Sequence, residues 1–227
     1  MNGSNVELNG NYVSKIIDNS SLGNDSNMPG VSGQPIYGGS NYSINNHPEI
    51  IFDGLNDYFI LPNSSTPDYQ FSLFMVVRPT VISSLHSIFS RAYSNRRFQF
   101  RYNNSVFESW VNNISQNLIV DSSDSYLISI IYDGQNRYLN INGIDANAIA
   151  QSGPITYISS DPTVLGCRRK TQSWSASQFF NGKFLELVLF NTAVDSTIQE
   201  TIISELANKY APPIDFSSDI NISYGFC

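Results

Sequence analysis

The feature that most constrains this chain is its rhythm: no helical period is found before residue 195, and short apolar or alternating runs follow one another between turn signals. Glu49-Ile50-Ile51-Phe52 passes through the turn-rich Asp53-Gly54-Leu55-Asn56-Asp57 into Tyr58-Phe59-Ile60-Leu61. Asp-Gly between two apolar runs predicts a hairpin there, because glycine tolerates the positive φ of a tight turn. Phe71 to Arg78 is nearly all apolar, the pattern of a central strand covered on both faces. Ser87 to Arg91, Arg97 to Tyr102 and Ser105 to Val111 follow as shorter strands. Within them Phe98-Gln99-Phe100-Arg101-Tyr102 alternates as a strand with one wet face does. Tyr126 to Tyr132 and Tyr138 to Ile141 flank the turn Asp133-Gly134-Gln135-Asn136, Asn142-Gly143 adds another turn, and Phe184 to Phe190 is the last strong strand.

Only Asp195 to Tyr210 reads as helix. Asp195 or Thr197 can cap it, with Glu200 three residues after Thr197 as in a capping box. Ile198, Ile202, Leu206 and Tyr210 form one apolar stripe, and Ala211-Pro212-Pro213 ends the element. The fold class expected is all-β, a two-sheet antiparallel β-sandwich with one short C-terminal helix sealing an edge or end. No repeat, linker or composition break divides the chain. Residues 1–227 therefore read as a single domain, with a core at about 6–211 and a tail at 212–227. The end stretches Met1 to Asn11 and Ile214 to Cys227 are candidate docking arms, or plain frayed ends.

A length of 227 residues suits one large sandwich, and 41% hydrophobic with 13% aromatic residues can fill its core. Charged residues make up only 14%, so surface polarity comes from Asn, Ser, Gly and Gln, which hydrogen-bond neutral partners such as sugars or protein faces. A net charge of -7 and a pI near 4.6 exclude a general nucleic-acid binder, and the basic cluster Arg168-Arg169-Lys170 is too short to reverse that. Met1-Asn2-Gly3-Ser4 lacks the basic and apolar regions of a secretory signal, which fits a mature fragment, a cytosolic protein or a virion component. Apolar runs are strand-length, so membrane insertion is not expected. Of the two cysteines, Cys227 ends the chain, and nothing resembles a disulfide scaffold. Cys167 reads either as a buried strand residue or as a thiol activated by the adjacent basic cluster.

The order of motifs resembles a known family. Val13-Ser14-Lys15-Ile16-Ile17-Asp18-Asn19-Ser20-Ser21-Leu22-Gly23-Asn24-Asp25 is followed by Gln34-Pro35-Ile36-Tyr37 and by the stretch from His47-Pro48-Glu49 to Asp57-Tyr58. Phe71 to Pro79, the Tyr126 to Gly143 hairpin region, Asn181 to Asn191 and the helix at Ile202 to Tyr210 come next in the same order. Together these resemble the laminin-G-like domains of the concanavalin A-like lectin/glucanase superfamily, of the type found in phage and bacterial surface proteins. The resemblance spans about Val6 to Ala211. It departs at the family's opening Trp, here Ile16 or Ile17, and at a glycine replaced by Ser21. It implies a concanavalin A-like jelly roll, with Asp53, Asn56 and Asp57 as candidate calcium ligands on one reading. The competing reading has these three shaping the hairpin turn through side-chain hydrogen bonds.

Relatives that hydrolyse glycosides need two carboxylates on one strand face, as in E-x-D-x-E, and no such motif occurs; Glu108 and Glu186 each stand alone. His47 and His86 are far apart, no G-x-S-x-G elbow is present, and two Cys and two His in no ligand spacing argue against zinc. No catalytic residue is expected, and no metal or other cofactor apart from the calcium reading of Asp53, Asn56 and Asp57. For binding, Tyr93, Arg97, Tyr102 and Trp110 fall where they could line an open sandwich face, and Trp174 is the second tryptophan among polar neighbours. Such rings stack on sugars through apolar area, or else pack in the core or a subunit interface. Asn-x-Ser sequons such as those at Asn63 and Asn113 arise by chance in so Asn- and Ser-rich a chain.

The expected function is a non-catalytic binding or structural module. The first reading is a virion surface protein of the capsid-decoration or fibre type, with glycan-binding capacity. The alternative is a lectin-like carbohydrate-binding module of a bacterial surface or secreted protein, and a glycoside hydrolase is disfavoured. The partners expected are virion or capsid proteins, cell-surface glycans, and a second copy of the chain in a homo-oligomer. The location expected is the virion surface, the cell surface or the extracellular space.

Overall fold

Side chains of Phe71–Pro79 alternate between two separate hydrophobic clusters: Phe71, Leu73, Met75 and Val77 join one, Phe74 and Val76 the other. A strand apolar on both faces must lie in a sheet covered on both sides, and the remaining elements supply the two covers. The computed structural model describes residues 5–27, 30–39, 45–81, 83–91, 97–119, 125–157, 161–169 and 176–210.

In chain order the first strands are β1 (Val6–Asn9), β2 (Tyr12–Ile16), β3 (Ile36–Gly38), β4 (Glu49–Asp53), β5 (Phe59–Leu61) and β6 (Phe71–Pro79). Next come β7 (His86–Arg91), β8 (Phe98–Asn103), β9 (Val106–Val111), β10 (Ile114–Ile119), β11 (Tyr126–Tyr132) and β12 (Asn136–Ile141). The last are β13 (Ile144–Asp145), β14 (Ile149–Ala150), β15 (Thr163–Leu165), β16 (Arg168–Arg169), β17 (Ala176–Ser177) and β18 (Asn181–Phe190), before helix α1 (Ser196–Tyr210). One antiparallel sheet runs β1-β2-β3-β4-β18-β6-β11-β12-β13, with β14 beside β12; the second runs β10-β9-β8-β7-β15-β5. β16 and β17 form a separate two-stranded ribbon.

The main core lies between the two sheets, where Phe52, Leu73, Met75 and Ile130 meet Phe89, Phe98, Phe100 and Phe107. Burying each such aromatic ring contributes about 2–3 kcal/mol. On the far side of the larger sheet, α1 lays Leu206 and Tyr210 over Phe74, Val76, Leu127 and Leu185. Ser72 fixes the approach to the helix: its Oγ donates to the Thr192 carbonyl (2.9 Å) and accepts from the Val194 amide (2.9 Å). The result is the expected two-sheet sandwich with a C-terminal helix, and the helix covers a sheet face rather than an edge.

Several expectations are corrected. The Asp53–Asp57 segment does not close a hairpin, because β4 pairs with β3 and β18 in one sheet while β5 pairs with β15 in the other. The Asp-Gly turn instead carries the chain across the sandwich. Residues from Val6 onward are not a docking arm, since Val6 is buried and opposite Ile16 in the β1–β2 pair. In α1, Asp195 is the cap, its Oδ1 accepting the Ile198 amide at 2.9 Å. Ile198 itself is 46% exposed, so the apolar stripe begins only at the half-buried Ile202. The expected tail at 212–227 lies outside the described residues, as does Cys227.

Candidate functional site

Two-residue turns set the register of β8, β9 and β10. Asn104 and Ser105 have φ of 49° and 66°, and Asn112 and Asn113 have φ of 47° and 66°, the left-handed values that hairpin turns require. Positions equidistant from each turn therefore face one another: Arg101 opposes Glu108 and Gln99 opposes Trp110, then Trp110 opposes Ser115 and Glu108 opposes Asn117. β7 continues both lines, with Ser87 opposite Arg101 and Ser90 opposite Gln99. Since Phe98, Phe100, Tyr102, Phe107 and Val111 point into the core, strand alternation turns the intervening side chains outward. Two polar cross-strand rows result: Ser90-Gln99-Trp110-Ser115 and Ser87-Arg101-Glu108-Asn117.

The expectation that the β8 alternation marks a wet face is overturned, because Gln99 is 0% exposed and Arg101 5%. Cys167, just before β16, and Gln178, just after β17, meet the β7 end of both rows. Ser90 Oγ donates to the Cys167 carbonyl (3.0 Å), the Ser87 amide to the Gln178 carbonyl (2.8 Å), and Gln99 Nε2 to both Ser87 Oγ (3.2 Å) and Gln178 Oε1 (3.0 Å). Cover decreases toward β10, where Trp110 and Ser115 are half-buried and Asn117 is exposed.

At the centre, Arg101 Nε and Nη2 donate to Glu108 Oε2 at 2.8 and 2.5 Å, and Trp110 Nε1 donates to the same oxygen at 2.7 Å. The Arg101 guanidinium also lies 5.3 Å from the Trp110 ring centroid, within cation–π range. Trp110 is thereby held at its polar edge and along its face. Arg101 Nη1 and Gln99 Oε1 are buried with no hydrogen-bond partner, leaving one donor and one acceptor unmatched in the floor beside the ring. Glu108 is the one carboxylate borne by the six strands of this sheet.

The other anticipated residues are dispersed. Arg97 is half-buried just ahead of β8, its carbonyl accepting the Asn112 amide (2.9 Å) and its Nε buried without a partner. Tyr102 belongs to the core, not to an open face: it is buried, stacks on His86 at 5.1 Å, and its hydroxyl donates to the Val81 carbonyl. Burial pushes its phenol pKa up. Tyr93 and Trp174 lie outside the described residues. His86 is held between Ser84 Oγ (2.6 Å) and the Phe179 carbonyl, while His47 sits edge-on to Tyr210 at 5.3 Å. Glu186 accepts from Lys209 Nζ at 2.8 Å and from the Tyr210 hydroxyl at 2.5 Å. Cys167 is a buried free thiol whose pKa burial raises, so the activated-thiol reading fails.

The calcium candidates stitch their own turn together. Asp57 Oδ2 accepts the Asp53 amide (2.8 Å), Asp53 Oδ1 accepts the Leu55 and Asn56 amides (2.7 and 3.3 Å), and Asn56 Nδ2 donates to the Ser32 carbonyl (2.5 Å). Burial pushes the Asp57 carboxyl up to about 6. Among the described residues no three His, Cys, Asp or Glu side chains gather around a common point.

The sequence signal for the central group was available but subtle. Arg101 and Glu108 stand equally far from Asn104-Ser105, as do Gln99 and Trp110, so a two-residue turn there pairs them. Asn104-Ser105 contains no glycine and so lacks the usual hairpin signal.

Comparison with known proteins places this geometry in context. No curated protein sequence matches the chain. Among solved structures, domain 4 of AbnA, a GH43 extracellular arabinanase from Geobacillus stearothermophilus, in complex with arabinotriose, is similar with a TM-score of 0.56 at 15% identity, over 87% of this chain and 90% of that one. NanB, a sialidase from Streptococcus pneumoniae, is similar with a TM-score of 0.56 at 16% identity, over 66% of this chain; the match spans only 27% of NanB. The CBM40 of Ruminococcus gnavus IT-sialidase is similar with a TM-score of 0.50 at 14% identity, over 61% of this chain and 83% of that one. These likenesses establish a shared sandwich fold. The family model described as concanavalin A-like lectin/glucanases superfamily matches residues 52–197, well over half of the sequence, and the chain belongs to that superfamily.

Proposed function

We propose that this chain is a non-catalytic glycan-binding module and that a neutral sugar docks over Trp110 on the outer face of the six-stranded sheet. The observation that carries the reading is the fixed indole: half-buried, pinned through Nε1 to Glu108 and faced by Arg101. A ring held this way stacks on a sugar at little entropic cost. Ser115 beside it and Asn117 in the neighbouring row supply hydroxyl and amide groups for sugar hydroxyls. The Arg101–Glu108 pair cancels its own charge, and the chain carries -7 overall, so neutral saccharides suit this face better than acidic ones. That a domain of the same fold and nearly the same extent is described in complex with arabinotriose supports the class of ligand.

Hydrolysis is disfavoured on chemistry. Glycosidases use two carboxyl groups flanking the scissile bond, whereas this sheet offers one, and that one accepts three hydrogen bonds from Arg101 and Trp110. We place such a module outside the cell or on a particle surface, a virion included, where glycans are the partners it meets. A glycan array probed with the labelled protein tests the reading: saturable binding to neutral glycans is expected, weakened in Trp110→Ala. An array blank for the wild-type protein would end it.

A further inference from the structure

Away from Trp110, the loops holding Asn63–Gln70 and Pro154–Tyr157 form the walls of a separate cleft of about 730 Å³, within the size range of small-ligand sites. Its floor is Arg91, the last residue of β7, only 8% exposed. Arg91 Nη1 donates to the Asn63 carbonyl (3.0 Å) and to Thr66 Oγ1 (2.7 Å), and the guanidinium lies 4.1 Å over the Tyr157 ring. Arg91 Nε is buried with no hydrogen-bond partner, and the carboxylates of buried Asp161 and exposed Asp68 act on the guanidinium without forming an ion pair with it. A desolvated cation with an unmatched donor is costly unless something completes its hydrogen bonding.

The aromatic walls are built in place. Tyr157 is anchored by its hydroxyl to the Pro67 carbonyl (3.2 Å). Tyr69 is 51% exposed yet seated against Gly134, where an added Cβ would lie 2.8 Å from the ring at a φ of +88°. A large exposed ring positioned by a glycine contributes little to the core and much to a surface that meets another molecule. Asp68, exposed on the wall, disfavours an anionic ligand.

The geometry points to this cleft as a second, independent saccharide site, taking a neutral oligosaccharide that stacks on Tyr69 and hydrogen-bonds to the Arg91 guanidinium. The ligand class rests on the glycan-binding reading; the site does not involve Trp110. Two-dimensional amide NMR of the full chain, titrated with arabinotriose, xylotriose and maltotriose, tests it. At least one of these sugars should shift the amides of Tyr69 and Thr156 saturably, in the wild type and equally in Trp110→Ala. Tyr69→Ala, which removes an exposed ring, should weaken that response at least tenfold, and Arg91→Lys should weaken it with the fold kept. Shifts confined to β8–β10 would overturn the second site and leave the Trp110 reading standing. Shifts at the cleft alone would do the reverse, and no shift with any of the three sugars would overturn both.

Discussion

Arg101 and Glu108 face each other directly across β8 and β9, and the two guanidinium nitrogens that reach over both end on a single carboxylate oxygen. That oxygen also receives the Trp110 indole hydrogen. One cross-strand pair therefore both neutralises a buried charge and sets the angle of the ring proposed to meet the ligand. Removing one partner of a buried pair strands the other. Glu108→Ala should cost about 3 kcal/mol in urea denaturation. A cost below about 1 kcal/mol would place the pair with ordinary surface ion pairs.

Asp57 gives a pH dependence with a definite sign. Its carboxyl is raised from 3.8 to about 6 in the folded chain, chiefly by burial. The folded state thus holds the proton more tightly than the unfolded one, so stability falls as pH rises from about 4 to about 6 and is level above. Carboxylates with lowered values, such as Asp18, Asp25 and Asp133, act in the opposite sense at lower pH. Comparing melting temperature against pH for wild type and Asp57→Asn isolates the effect. The difference should change between pH 4 and 6, and a flat difference would contradict it.

The same turn predicts the response to calcium. Asp53 and Asp57 spend oxygens on backbone amides of their own loop, whereas a calcium site needs six or more oxygens free to turn toward one ion. Millimolar calcium against a chelator should leave the melting temperature unchanged. A rise of several degrees, abolished by Asp53→Ala, would assign these residues to a metal after all.

Helix α1 separates its cap from its stripe. Asp195→Ala should cost about 1 kcal/mol through the lost Ile198 amide bond. Leu206→Ala, emptying the contact with the larger sheet, should cost about 3 kcal/mol. Ile198→Ser should stay within about 0.5 kcal/mol, since that side chain is exposed. Thermal or chemical denaturation of the three variants distinguishes them.

Strands with strong apolar runs, such as Phe71–Pro79 and Tyr126–Tyr132, were legible because burial on two faces leaves few alternatives to a central strand. The Asn142-Gly143 turn was legible for its chemistry and does close the β12–β13 pair. β10 was missed, for Ile114–Ile119 mixes apolar and polar residues as an edge strand, and its turn is Asn112-Asn113 with no glycine.

The site was legible only in part. Trp110 stood out by type, but its value depends on Arg101 and on Glu108, which looked solitary until the turns fixed the register of the two strands. Tyr102 looked equivalent to Trp110, yet strand parity sends it into the core. Alternation identified two faces of β8 correctly, but it could not show that a later segment, through Gln178, covers the polar one. That contact spans 79 positions in the chain, beyond any local pattern.

The most direct test of the glycan-binding account follows from there being only two tryptophans. Trp174→Phe leaves Trp110 as the single indole, and its fluorescence can be followed during titration with neutral oligosaccharides. The account predicts a saturable change in emission together with protection of the indole from acrylamide quenching. Glycan binding that leaves both signals unchanged, or no binding to any neutral oligosaccharide, would contradict it.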